Sequence, residues 1–161
     1  PDAMNVAWGG QCGPKHVALN IGSHQTTENL RNRKVFTLAF ADRQNEAKAD
    51  FVGLVSGRTV PDKIRKTGWK VTKSPHIDAP VFDDFPLTLE CKVIDMKEES
   101  DGGARVVGKV VNTIADHKIL DSKGNIDIDQ LQPILLDDSA AAYRAVGEKV
   151  GNAFKDGNSY K

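Results

Sequence analysis

The sequence predicts a mainly β domain with short helices set between its strands, and three observations carry that expectation. Residues 87–96 and 104–114 are long strand-forming runs joined by a polar turn containing Asp101, Gly102 and Gly103, which reads as a hairpin. Residues 17–21 and 34–40 are shorter apolar runs, the second rich in β-branched and aromatic side chains. Between residues 45 and 55, Ala47, Phe51, Leu54 and Val55 recur at helical spacing among charges, and Ser56-Gly57 stops the pattern.

The elements follow in order. Residues 5–12 suit a strand that ends in a turn at Gly9-Gly10 with Trp8 as a core aromatic; the same small residues would also let the backbone approach a flat group closely. After the strand at 17–21, Thr26 or Thr27 is a candidate N-cap for a short helix through Leu30. Residues 61–67 predict a helical turn, with Pro61 in its first turn and Gly68 as terminator. Residues 73–84 hold Pro75 and Pro80 and read as an extended loop. In the first arm of the hairpin, Leu87, Leu89, Cys91 and Val93 alternate with Thr88, Glu90 and Lys92, so Cys91 reads as a small buried hydrophobe. Asp121 to Gly124 predicts a second turn. Residues 143–154 are weakly helical at best, given their two glycines. No composition break divides the chain, so residues 1–161 are read as one domain, with a tail from about 139 packing on the barrel or on a partner subunit.

Composition narrows the function. The 161 residues carry 22 Lys+Arg against 22 Asp+Glu, a net charge of zero, which argues against nucleic-acid binding and against a polybasic membrane surface. No apolar run approaches the roughly 18 residues of a membrane span. Cys12 and Cys91 form no disulfide framework, and the four histidines lie far apart without a cysteine at ligand spacing. The chain therefore reads as cytoplasmic and free of a protein-held metal. Gly-x-Ser-x-Gly, Gly-x-Gly-x-x-Gly and P-loop patterns are all absent.

Two further stretches suit an anion. Gly22-Ser23-His24-Gln25-Thr26-Thr27-Glu28-Asn29 follows a strand and opens a helix, where free N–H groups and hydroxyls suit a phosphate as well as plain capping. Gly53-Leu54-Val55-Ser56-Gly57-Arg58 ends a helix in a glycine turn that presents an arginine, either a phosphate fork or a surface cation.

Taken in order, these stretches resemble the flavin reductase-like family, the FMN-binding split β-barrels that include flavoredoxins. The resemblance rests on Ala3-Met4-Asn5-Val6-Ala7-Trp8-Gly9-Gly10, Ser23-His24-Gln25-Thr26-Thr27-Glu28-Asn29-Leu30 and Ala49-Asp50-Phe51-Val52-Gly53-Leu54-Val55-Ser56-Gly57-Arg58. It continues through Lys66-Thr67-Gly68-Trp69, Asp78-Ala79-Pro80, Phe85-Pro86-Leu87-Thr88-Leu89-Glu90-Cys91 and Gly147-Glu148-Lys149-Val150-Gly151-Asn152-Ala153-Phe154.

The resemblance implies a Greek-key-like split barrel and a homodimer with non-covalent FMN near the subunit interface. It also implies electron transfer, from NADH or NADPH as a flavin reductase or from a redox protein as a carrier. A flavin-binding module without turnover is the alternative from another class. By position, Asn5, Val6, Ala7, Trp8 and Gly9 would line the isoalloxazine edge. Ser23, His24, Gln25 and Thr26 would hold the phosphate with Asn29 close by, and Ser56, Gly57 and Arg58 would close that end. No catalytic side chain is implied, because the flavin carries the chemistry. Two departures stand out. His24-Gln25 occupies a place where family members often carry Arg-His, replacing a permanent cation with a titratable imidazole. The family also has a strand before the residues matching Pro1 to Met4, so the expected barrel lacks its first strand in this sequence.

Overall fold

A computed structural model describes residues 1–161. Its strands are β1 (Trp8–Gly13), β2 (His16–Ile21), β3 (Val35–Ala39), β4 (Val71–Lys73), β5 (Pro80–Phe82), β6 (Leu87–Glu98), β7 (Ala104–Ala115), β8 (Ile134–Asp137) and β9 (Ala142–Ala145). Four α-helices intervene: α1 (Gln25–Arg33), α2 (Glu46–Leu54), α3 (Lys63–Thr67) and α4 (Ile128–Leu131). The fold is mainly β, as the sequence predicts. An antiparallel five-stranded sheet runs β1-β2-β7-β6-β3, and β4–β5 and β8–β9 form separate two-stranded ribbons. The large sheet does not close on itself, so β1 and β3 are its edges. No helix is long and apolar enough to cross a membrane.

The sheet is organised around the β6–β7 hairpin, with β2 zipped to one side and β3 to the other. Register shifts leave Val111 of β7 unpaired opposite Glu90/Cys91 and Ile94 of β6 unpaired between Val93 and Asp95, irregularities of the kind that bend and twist a hairpin. One face buries Val17, Leu19, Ile21, Phe36, Cys91, Ala104 and Val106, and α1 covers them with Leu30. Burial, with a smaller contribution from Glu90, pushes the Cys91 thiol up to about 12, which keeps it inert at neutral pH. A second cluster joins α2 and α3 to β5 through Val52, Ile64, Trp69 and Phe82, with Trp69 edge-on to Phe82 and to Phe85 at 5.4 and 4.9 Å.

Several details differ from the sequence reading. The N-cap of α1 is His24; Thr27 sits inside the helix, where its Oγ1 accepts from the His24 amide at 3.4 Å and donates to the Gly22 carbonyl at 2.5 Å. β1 runs through Gly9 and Gly10 instead of ending there, because both glycines are paired with β2. Trp8 is not in the core: it is 61% exposed on this edge strand. The proline-rich stretch 73–84 contains β5, whose first residue is Pro80, the one strand position that loses little by lacking an N–H. Gly68 ends α3 with φ of +69°, as its place in the sequence implies.

The second face of β6 is covered as well. Glu90 is fully buried and accepts hydrogen bonds from Ser74 Oγ, from Asn112 Nδ2 at 2.6 Å and from His76 Nδ1 at 2.9 Å. Ser74 Oγ in turn accepts the His76 and Ile77 amides, each at 3.0 Å, so one carboxylate holds the loop over the sheet. Burial pushes the Glu90 carboxyl up, but the Ser74 and Asn112 hydrogen bonds and the His76 ring outweigh it and hold it below the ordinary range. A carboxyl whose folded pKa lies below its unfolded value stabilises the fold above the unfolded value and loses that stability as pH falls through the folded one. Denaturant melts across the acid range will therefore show stability falling from the ordinary glutamate value downward, with a flatter acid limb in Glu90→Gln. Identical acid limbs would reject this role.

Candidate functional site

The segment before β1 has no regular structure of its own and is held by side chains. Asp2 is the first anchor: its carboxylate accepts from Thr26 Oγ1 at 2.7 Å and pairs with Lys63 Nζ at 3.0 Å. Lys63 is only 3% exposed and also donates to the Val52 and Val55 carbonyls at 3.1 and 3.0 Å, at the C-terminal end of α2. A Cβ at Gly57 would lie 2.8 Å from Asp2 Oδ1, so the glycine turn leaves room for this carboxylate. One acidic side chain thus joins the N-terminal segment to α1, α3 and the turn after α2.

Asn5 is the second anchor. Its Nδ2 lies against α2 at Gly53, where a Cβ would approach it to 2.5 Å. The same nitrogen donates to Tyr143 Oη at 3.4 Å, and Tyr143 donates to Asp50 Oδ1 at 2.7 Å. Burial, then the Asp50 carboxylate, pushes the Tyr143 phenol up to about 12, so it stays protonated.

These anchors frame an open groove of about 1500 Å³ bounded by residues 1–7, β1, β2, β3 and the β8 ribbon. That exceeds the roughly 300–1000 Å³ of a site for one small molecule. Of the residues singled out from sequence, Asn5, Val6, Ala7, Gly9, Thr26 and Asn29 line the groove. Trp8, Ser23, His24, Gln25, Ser56, Gly57 and Arg58 stand outside its lining. The structure nevertheless brings the last three to the start of α1, because Arg58 pairs with Glu28 in the first helical turn. Gln25 Nε2 donates to Asn29 Oδ1 at 3.2 Å, and Ser56 Oγ accepts the Arg58 amide at 3.2 Å. Thr26 gives its only hydroxyl proton to Asp2, which leaves its backbone N–H for any other acceptor.

The glycines of β1 differ in purpose. A Cβ on Gly9 would meet Leu19 Cδ2 at 2.7 Å, so core packing requires that glycine, whereas Gly10 faces open space. The groove is suited to a flat aromatic group with an anionic tail. Ala7 and the glycines form a low wall, Asn5 supplies a carboxamide, and α1 contributes Thr26 from its first, positive turn and Asn29 from its middle. Asp2, Lys63, Gly53, Asp50 and Tyr143 complete the site without having been singled out as site residues from sequence. The one local signal among them is Gly53, a glycine inside a helix, which costs helix stability unless something needs the space.

Comparison with known proteins agrees with this architecture. Residues 3–143 match the flavin reductase like domain. The structure is similar to the flavoredoxin of Desulfovibrio vulgaris (Miyazaki F), with 29% identity, a TM-score of 0.90, and coverage of 98% of this chain and 85% of that one. It is equally similar to a flavoredoxin from Methanosarcina acetivorans, with 26% identity, a TM-score of 0.91, and coverage of 99% and 85%. An uncharacterised protein of Aeropyrum pernix is 29% identical over 119 residues, which are 71% of this chain and 45% of that protein, so the chain spans less than half of that relative. A single domain match from Ala3 to Tyr143 takes in the groove lining except Pro1 and Asp2, and the chain belongs to the flavin reductase like domain family.

Proposed function

We propose that this chain is an FMN-binding oxidoreductase of the flavin reductase or flavoredoxin type, working as a homodimer in the cytoplasm. The observation that carries the reading is the groove, whose small-residue wall ends at the start of α1 in a chain similar over nearly all its length to two flavoredoxins. Bound flavin would supply the electron and hydride chemistry itself. The protein's part is then to bind and orient it. The α1 amides with Thr26 and Asn29 in the groove, and Ser23, His24 and Gln25 outside its lining, would receive the phosphate, and Ser56, Gly57 and Arg58 would close that end, Arg58 exchanging its Glu28 partner for the anion. Lys63 neutralises Asp2 beside them, which lowers the repulsion an anion would otherwise meet. Asn5, Val6, Ala7 and Gly9 would face the ring edge, with Trp8 beside them outside the lining.

The remaining volume of the groove leaves space for a nicotinamide ring or for the surface of a redox protein. The tail supports the dimer: Val150, Phe154 and Tyr160 are almost completely exposed, apolar surface suited to burial on a second copy. Two free cysteines, one of them exposed, suit a reducing compartment.

Adding FMN to the purified protein tests the proposal: its fluorescence is expected to be quenched and its visible spectrum to shift. Unquenched FMN would end the flavin reading. Anaerobic mixing of the loaded protein with NADH and NADPH then separates a reductase, whose flavin bleaches within a turnover, from a carrier reduced only by a protein donor.

A further inference from the structure

Tyr143 lies far from Asn5 in the chain and belongs to the β8–β9 ribbon, yet it decides how Asn5 is presented. A phenol has one proton, and at 2.7 Å that proton is committed to Asp50 Oδ1. The Tyr143 oxygen can then only accept, and it takes the Asn5 Nδ2–H at 3.4 Å. Gly53 packs against the same carboxamide, where a Cβ would lie 2.5 Å from Asn5 Nδ2 and 2.8 Å from Cγ. A carboxamide can be turned either way round; here the Asp50–Tyr143 pair selects one of the two orientations. The NH₂ group is directed to Tyr143, and no protein group donates to the carbonyl oxygen.

The geometry points to Tyr143, fixed by Asp50, as the positioning residue that holds the Asn5 carboxamide in the groove with its carbonyl free to accept an N–H of the bound ligand. This rests on the reading of the groove as a flavin site. It also gives the pair a role that simple packing of β9 would not have. Asp50 lies on α2, Asn5 on the N-terminal segment and Tyr143 on β9, so three separate pieces of the fold meet at one side chain of the pocket. Oxidised isoalloxazine carries a ring N–H, the type of donor such an acceptor selects.

The test compares FMN affinity of the wild type, Tyr143→Phe, Asp50→Ala and Asp50→Asn, each also in an Asn5→Ala background. The Asn5 side-chain amide signals are followed by NMR in the ligand-free proteins. Tyr143→Phe removes one oxygen atom and is expected to weaken FMN binding by about three- to tenfold, the range of one hydrogen bond. Asp50→Ala weakens it to a similar degree, and Asp50→Asn, which keeps an acceptor oxygen, restores most of the loss. In the Asn5→Ala background the Tyr143 change has no further effect, whereas a merely structural role would cost the same in both backgrounds. The Asn5 amide signals shift in ligand-free Tyr143→Phe. Unchanged Asn5 signals, or equal losses in both backgrounds, overturn the positioning role while the flavin reading stands. Wild-type protein that binds no FMN overturns the flavin reading, and the ligand-facing role of Asn5 with it, even where the amide signals respond.

Discussion

Replacing Lys63 with methionine lowers the unfolding free energy by about 3–5 kcal/mol, the range for removing one partner of a buried ion pair. Methionine keeps most of the apolar stem. What it removes is the cation that neutralises Asp2, whose side chain is only 9% exposed, together with the donor to the Val52 and Val55 carbonyls. Asp2 is then left with Thr26 alone. Denaturant melts will show a lower midpoint at an unchanged slope, and adding Asp2→Asn to Lys63→Met will recover much of the loss, because the buried charge is then gone. A Lys63→Met protein within about 0.5 kcal/mol of wild type, the range of ordinary surface changes, would reject the pair as a stabilising element.

The second large effect belongs to the centre of the sheet. Gly108 on β7 lies under the Phe36 ring: a Cβ there would sit 2.5 Å from Cζ, 2.8 Å from Cε1 and 3.3 Å from Cys91 Cβ. Neither neighbour can yield easily, since Phe36 is packed in the main cluster and Cys91 is fully buried. Gly108→Ala is therefore expected to cost about 1–3 kcal/mol by overpacking, although alanine is normally no worse than glycine in a strand. Trimming Phe36 to leucine in the alanine background returns part of that stability. If Gly108→Ala melts with the wild type, the crowding at Phe36 is not a constraint on the fold.

What the sequence makes legible is local. The β6–β7 hairpin is announced by its turn residues and strand propensities, which act over a few positions, and Gly68 terminates α3 for a reason contained in its own backbone. β4 and β5 are not legible in this way, because three-residue strands exist only through their pairing, and Pro75 and Pro80 argue locally against them. The alternation in β6 separates Glu90 from Cys91 correctly but cannot show that residues 74–77 fold over the Glu90 face. The site divides similarly. Asn5, Thr26 and Asn29 stand in stretches with recognisable order, whereas Asp2–Lys63 and Asp50–Tyr143 are partnerships between distant residues that any sequence window reads as solvated charges and a tail tyrosine.

The central place of β6–β7 in the sheet also sets a timetable for synthesis. β2 is made well before β7, its partner, since Ile21 pairs with Ala104, and β3 likewise waits for β6. At about 5–20 residues per second, β2 leaves the ribosome roughly 4–17 s ahead of the strand that covers its edge. For that interval Val17, Leu19 and Ile21 are present on the nascent chain without their main partner strand. The pairing of β6 with β7 takes on the order of microseconds once both are free, so the delay is one of translation and not of zipping. The vulnerable period of this protein's life is therefore its first seconds, when its earliest strands offer unpaired backbone to any other chain at hand.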